Sequence, residues 1–181
     1  MRIISGKLKG RMINNYDING TRPTMDRVKE SIFSSIQNYV KDSIFLDLFA
    51  GTGNIGIEAL SNGSKKVYFI DNNIKAIKAI KDNVKNFEIE NDSVIIKNDY
   101  KKALDYFKDN NIKFDIIFLD PPYKYQIITD IINYIYDNNL LNNDGLIVCE
   151  YEKDELNFPD IKYELYKYKK YGSKKVSIFK G

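Results

Sequence analysis

From Ile44 to Cys149 the chain alternates short apolar runs with longer stretches in which apolar residues recur every three or four positions. The runs are IFLDLF (44–49), KVYFID (66–71), SVIIK (93–97), FDIIFLD (114–120) and GLIVCEY (145–151), all rich in Ile, Val and Phe. Apolar residues follow one another in them instead of alternating with polar ones, which predicts parallel strands buried on both faces. Between the runs, Ile74, Ile77, Ile80 and Val84, and then Ile127, Ile128, Ile131, Ile132 and Ile135, fall at helical spacing. Strand and helix in alternation predict a doubly wound α/β sheet, and such sheets bind ligands at the carboxyl ends of their strands.

The flanks read differently. Residues 1–20, with RIISGKLKGRMI, show two apolar stretches around a Gly-Lys-rich connection and predict a small basic β-hairpin. Residues 21–42 predict a helical lead-in: Pro23 blocks helix upstream, Thr24 can cap, and Val28, Ile32, Ile36 and Tyr39 or Val40 form the apolar stripe. At the other end, 162–169 and 174–180 predict two antiparallel strands closing around KYGSKK. No repeat, linker or low-complexity block divides the 181 residues, and one domain holds roughly 100 to 200 residues. A single domain over 1–181 is expected, with 43–181 as its core.

Composition narrows the chemistry. The 43% hydrophobic content includes no run near the roughly 18 to 20 residues that span a bilayer, and no signal-peptide pattern follows Met1, so a soluble cytoplasmic protein is expected. The lone cysteine, Cys149, lies inside an apolar run and reads as an inert core thiol. Histidine is absent, which removes Ser-His-Asp triads, imidazole bases and most catalytic zinc sites, and no metal is expected. Charge is segregated beneath a net +3: residues 1–29 carry seven basic and two acidic side chains, 162–181 carry seven and one, and the middle is left with 14 basic against 22 acidic. Basic ends around an acidic centre suggest that the ends meet a polyanion while the centre holds something else.

The segment DLFAGTGNIGIEAL places Gly51, Gly53 and Gly56 after a strand and at the start of a helix, with Asp71 at the end of the next strand. Glycines there permit a tight turn and close approach of a ligand, and an acid at that distance can accept from a ribose. The pattern alone does not choose between a dinucleotide and S-adenosylmethionine. Asp47 argues for the second, because a carboxylate at the turn repels a pyrophosphate and favours a cofactor carrying an ammonium and a sulfonium. In KNDY, Asn98 and Asp99 follow the third strand, where they can meet an adenine edge or, for Asp99, simply cap a helix.

The fourth strand ends in DPPY, residues 120–123. The nitrogen of a base amine is a poor nucleophile because its lone pair is delocalised into the ring. Two fixed acceptors, the Asp120 carboxylate and the Pro121 carbonyl, aimed at its two N–H groups favour a tetrahedral nitrogen that faces a methyl donor. Pro122 stiffens the turn, and Tyr123 can stack on a base that has left its helix or loop.

DPPY together with DLFAGTG resembles the signature of amino-group N-methyltransferases, and RIISGKLKGR, RPTMDRVKESIF and DLFAGTGNIGIEALS extend the resemblance to the RsmD family, up to about Glu150. That resemblance implies a Rossmann-like class I methyltransferase fold with a mostly parallel seven-stranded sheet, S-adenosylmethionine as methyl donor, and methylation of the N2 amine of guanine 966 in 16S rRNA. The implied partner is the small ribosomal subunit or an assembly intermediate of it, met by a monomeric protein. By position, Asp47, Phe49, Gly51, Gly53, Asp71, Asn72, Asn98 and Asp99 would hold the cofactor, and Asp120, Pro121, Pro122 and Tyr123 the target amine and ring. Arg22, Pro23, Thr24 and Arg27 would border the pocket, while Lys7, Lys9 and Arg11 meet phosphates. Met25 departs from the family, where a second threonine is common. DPPY by itself also serves adenine N6 and cytosine N4. An adenine N6-methyltransferase acting on RNA or DNA, a nicotinamide oxidoreductase and a non-enzymatic ribosome-assembly factor are the other readings.

Overall fold

The computed structural model describes residues 1–15, 23–122, 126–152, 156 and 158–181, with the backbone alone at 23, 24 and 126. Seven strands form one sheet: β1 (Ile44–Asp47), β2 (Lys66–Asp71), β3 (Ser93–Lys97), β4 (Phe114–Leu119), β5 (Leu141–Tyr151), β6 (Glu164–Tyr171) and β7 (Lys174–Lys180). Their order is β3-β2-β1-β4-β5-β7-β6. The first five run parallel, whereas β7 pairs antiparallel with both β5 and β6. Order reverses between β1 and β4, so the switch point lies at the tips of those two strands.

Neighbouring strand residues feed opposite cores, which is why the runs are continuously apolar. Phe45, Ile116, Phe118, Leu146 and Val148 pack on one face with α1 (Pro23–Val40), α2 (Asn54–Ser61) and α3 (Ile74–Asn86). Leu46, Ile117, Leu119, Ile147 and Cys149 pack on the other with α4 (Tyr100–Asp109) and α5 (Gln126–Asp137). The Cys149 thiol is buried, and burial pushes its pKa far up, as an inert core thiol requires. The outer strand β3 is only half-buried along Ser93–Ile96, since an edge has a neighbour on one side.

Three local expectations change. Helix α1 begins at Pro23 itself, so Thr24 lies in its first turn and does not cap it; proline's fixed φ and missing N–H suit the first helical position. Ile74 opens α3 and is 62% exposed, because the apolar stripe of that helix starts one turn later, at Ile77. The strand anticipated at 145 begins at Leu141, beyond the polar residues Asn142–Asp144 that hid it. The N-terminal hairpin does form, as a short antiparallel pair around the Arg2–Met12 bridge, with the Ile3 amide donating to the Arg11 carbonyl at 3.0 Å and the Ile13 amide to the Met1 carbonyl at 2.9 Å. Side-chain anchors fasten this hairpin to the core: the Glu58 carboxylate accepts from the amides of Ile4 and Ser5 and from the Ser5 hydroxyl, and pairs with Lys29 at 2.9 Å. Lys29 and Glu58 are both buried, and the ammonium also donates to the Arg2 carbonyl and Asn54 Oδ1, so the charge is fully partnered.

Candidate active site

The glycine turn is built by contacts from two acids. Gly51 and Gly53 take φ of 55° and 81°, conformations that a side chain resists, and Gly53 heads α2. Asp71, at the end of β2, accepts the Gly51 amide on Oδ2 at 2.9 Å and the Asn73 amide on Oδ1 at 2.8 Å. It therefore shapes the turn, and each oxygen keeps a further lone pair for a ligand. Asp47, at the end of β1, is 1% exposed and accepts the Gly56 amide at 3.0 Å, satisfying a free N–H in the first turn of α2. Burial pushes its carboxyl up to about 7, with Asp120 and Asp71 adding repulsion and the Gly56 bond opposing. Gly56 is needed for close packing: a Cβ there would lie 2.2 Å from the Phe69 ring.

Two cavities meet at the switch point. The first, of about 240 Å³, is lined by Leu48, Phe49, Asp71, Asn72, Asn98, Asp99, Tyr100, Asp120, Pro121, Pro122 and Ile127. Its apolar wall is the Phe49–Tyr100 pair, with ring centroids 5.4 Å apart. Asp99 does cap α4, accepting from the Lys101 amide at 2.9 Å, and it still faces this cavity. The second cavity, of about 170 Å³, is bordered among others by Met25, Lys29, Asp47, Gly51, Asn54, Glu150 and Lys174. Phe49 and Asp120 line both.

Asp120 differs from the other acids. It makes no hydrogen bond among the described residues and reaches solvent through the cleft. Enclosure by the protein, and then the Glu150 carboxylate, push its carboxyl up to about 7, while Lys174 pulls it down. Glu150 and Lys174 form an ion pair of their own.

Most of the positions anticipated for the cofactor and amine thus converge. Gly53 is the exception, standing behind the turn as the start of α2. Arg22 and Tyr123 lie outside the described residues, as do the side chains of Pro23 and Thr24. Lys7 and Lys9 are exposed on the N-terminal loop, away from both cavities, and so is Arg27 on α1. Arg11 is engaged by the protein: its guanidinium lies 4.6 Å from the centre of the Phe87 ring and donates to the Asn86 carbonyl at 2.6 Å. Tyr100, Lys29, Glu150 and Lys174 were not anticipated. For Glu150 a signal existed, an acid closing the last apolar run; Lys174 offers none, because only the pairing of β7 carries it to this end of the sheet.

The family model described as conserved hypothetical protein 95 matches residues 1–180. The protein YlbH of Bacillus subtilis strain 168 is 41% identical over 182 residues, covering 99% of this chain and 98% of that one. The ribosomal RNA small subunit methyltransferase D of Haemophilus influenzae is 36% identical over 157 residues, covering 86% and 80%. A solved structure of yhhF from Escherichia coli superimposes with a TM-score of 0.86 at 27% identity, covering 99% of this chain and 97% of the other.

Proposed function

The chain belongs to the RsmD family, the one its matching model describes as conserved hypothetical protein 95, and on that premise we propose that it is an S-adenosylmethionine-dependent rRNA methyltransferase acting on the N2 amine of guanine 966 in 16S rRNA. The observation that carries this reading is Asp120, an acceptor with no hydrogen bond among the described residues at the junction of two cavities. Among the described residues, the lining of the first cavity includes Asp71, Asp99 and Asp120 and no basic side chain. Such a surface suits a nucleoside bearing positive charge and disfavours the pyrophosphate of a dinucleotide.

When bound, S-adenosylmethionine supplies a methyl group made electrophilic by its sulfonium. Phe49 and Tyr100 would flank its adenine, with Asn98 and Asp99 at the ring edge, Asp71 and Asn72 at the ribose, and Asp47 and the Gly51 turn at the methionine end. Asp120 and the Pro121 carbonyl would accept from the two amine hydrogens, turning the nitrogen lone pair toward the methyl group. As N2 gains its fourth bond it becomes cationic, and Asp120, with a carboxyl near 7, is suited to take the released proton. Pro121 and Pro122 keep the acceptor from swinging away. Tyr123 would stack on the extruded base, and Arg22, Pro23 and Thr24 would border it. Lys7 and Lys9 would meet phosphates of the subunit's RNA.

Nucleoside mass spectrometry of undermethylated small subunits incubated with the protein and labelled cofactor tests this. N2-methylguanosine is expected. Label on adenine or cytosine, or none on RNA, would refute the assignment.

A further inference from the structure

The second cavity holds two charged groups for which methyl transfer itself has no use. Glu150 is the second-last residue of β5 and is buried; Lys174 opens β7 and pairs with Glu150 Oε1. Antiparallel register explains why they meet: Glu150 stands opposite Val176 and Tyr151 opposite Lys175, so β7 starts where β5 ends. Strand β5 in turn lies beside β4, whose tip carries Asp120. All three side chains line one cavity, and Glu150 and Lys174 both act on Asp120 electrostatically. A largely buried ion pair is seldom a net gain over apolar packing, so its presence beside a reactive acid points to a ligand.

Resting on the methyltransferase reading above, we propose that Glu150 and Lys174 read the remainder of the target's Watson–Crick edge, Glu150 accepting from N1–H and Lys174 donating to O6, and so select guanine. Guanine presents in a row the amine, the N1–H donor and the O6 acceptor. Asp120 takes the first, and the ion pair offers an acceptor and then a donor, in matching order. Lys174 engages Oε1, and the carboxylate keeps lone pairs on Oε2 for N1–H. In adenine and cytosine the atom beside the amine is a bare ring nitrogen, whose lone pair would face the Glu150 carboxylate. A site built around a hydrogen bond rejects the analogue that cannot make it far more strongly than an apolar pocket rejects a change of size. This supplies the discrimination that the Asp-Pro-Pro-Tyr turn lacks.

The test compares small subunits carrying guanine at the target with subunits carrying 2-aminopurine, which keeps the amine but has no N1–H and no O6. The wild type is expected to prefer guanine by at least about 100-fold in kcat/KM. Glu150→Gln is expected to lower kcat/KM for guanine by about 10- to 100-fold, the usual cost of removing a charged hydrogen bond, and to raise it for 2-aminopurine above wild type, because an amide can donate to the bare N1. Lys174→Met is expected to lower guanine turnover by a similar factor with 2-aminopurine little changed. Equal losses on both bases in these two variants would reduce the pair to a structural role. A loss of S-adenosylmethionine affinity beyond about tenfold by calorimetry would assign it to the cofactor, and either result overturns the proposal. A wild type that methylates both bases equally would also overturn it while leaving the methyl-transfer reading intact. A wild type inert on both would reject the two together.

Discussion

Asp115 and Asp120 stand at opposite ends of β4, and the protein uses them in opposite ways. Asp115 accepts the Ile44 amide and Asn142 Nδ2, both at 2.8 Å, tying the starts of β1 and β5 to β4. Asp120 ties nothing among the described residues and faces two cavities. One carboxylate is satisfied by the fold; the other keeps its lone pairs for a visitor. An acceptor that holds no part of the fold among the described residues, set close to other carboxylates in a cleft, marks a functional position, so the contrast separates architecture from chemistry better than either residue does alone.

The largest effect expected is on Asp120. Asp120→Ala should cut methyl transfer by about 10²- to 10³-fold, with cofactor affinity within about threefold of wild type by calorimetry. Comparable losses of both would mean that Asp120 holds the cofactor and not the amine. Asp115→Ala should do the reverse. It leaves a backbone amide and an amide side chain unpaired and should cost about 1–3 kcal/mol in urea unfolding, with the rate of transfer unchanged. A slow but fully stable Asp115 variant would erase the distinction between the two ends.

Acid should weaken the upper end selectively. With Asp120 at about 7, the accepting carboxylate is lost as pH falls, and the single-turnover rate should drop about tenfold per unit below that value. Asp47 gives a second signature. Its carboxyl is raised from 3.8 to about 7 in the fold, so the folded state holds a proton that the unfolded state has released between those values. Stability of the cofactor-free protein should accordingly fall as pH rises from about 4 to about 7, the opposite of a salt-bridged acid. Denaturation midpoints across that range would show it. The smallest effect belongs to the N-terminal loop. Reversing the charge of exposed Lys7 or Lys9 should weaken subunit binding a few-fold and reduce the slope of log affinity against log salt by about one for each phosphate no longer neutralised. Arg11→Glu would also remove its interactions with Phe87 and Asn86, so its effect on binding should come with lowered stability.

The sheet was legible because its strands feed two cores and so are apolar at nearly every position, as at Phe45–Leu46 and Ile116–Leu119. The glycine turn and Asp71 were legible for a different reason: both lie on one local β-turn-α-β stretch, where spacing in sequence fixes spacing in space. Elements governed by local exceptions were less so. Pro23 starts its helix instead of ending a loop, and the N-terminal hairpin is fastened to the core by a buried Glu58–Lys29 pair that no local pattern announces. The far wall of the second cavity was the least legible. Its Glu150 and Lys174 come from strands whose pairing no sequence period reports, and they meet only once β7 folds back on β5.

The central claim is that the methyl group is delivered where the two cavities join, between Phe49 and Asp120. A crystal structure of the protein with S-adenosylmethionine tests it most directly. The adenosine is expected in the cavity lined by Asp71 and Tyr100, with the methyl carbon directed at a space bounded by Asp120 and Pro121 in which an amine nitrogen would fit at about 3–3.5 Å. A methyl carbon pointing away from Asp120, with protein filling the space between, would contradict it.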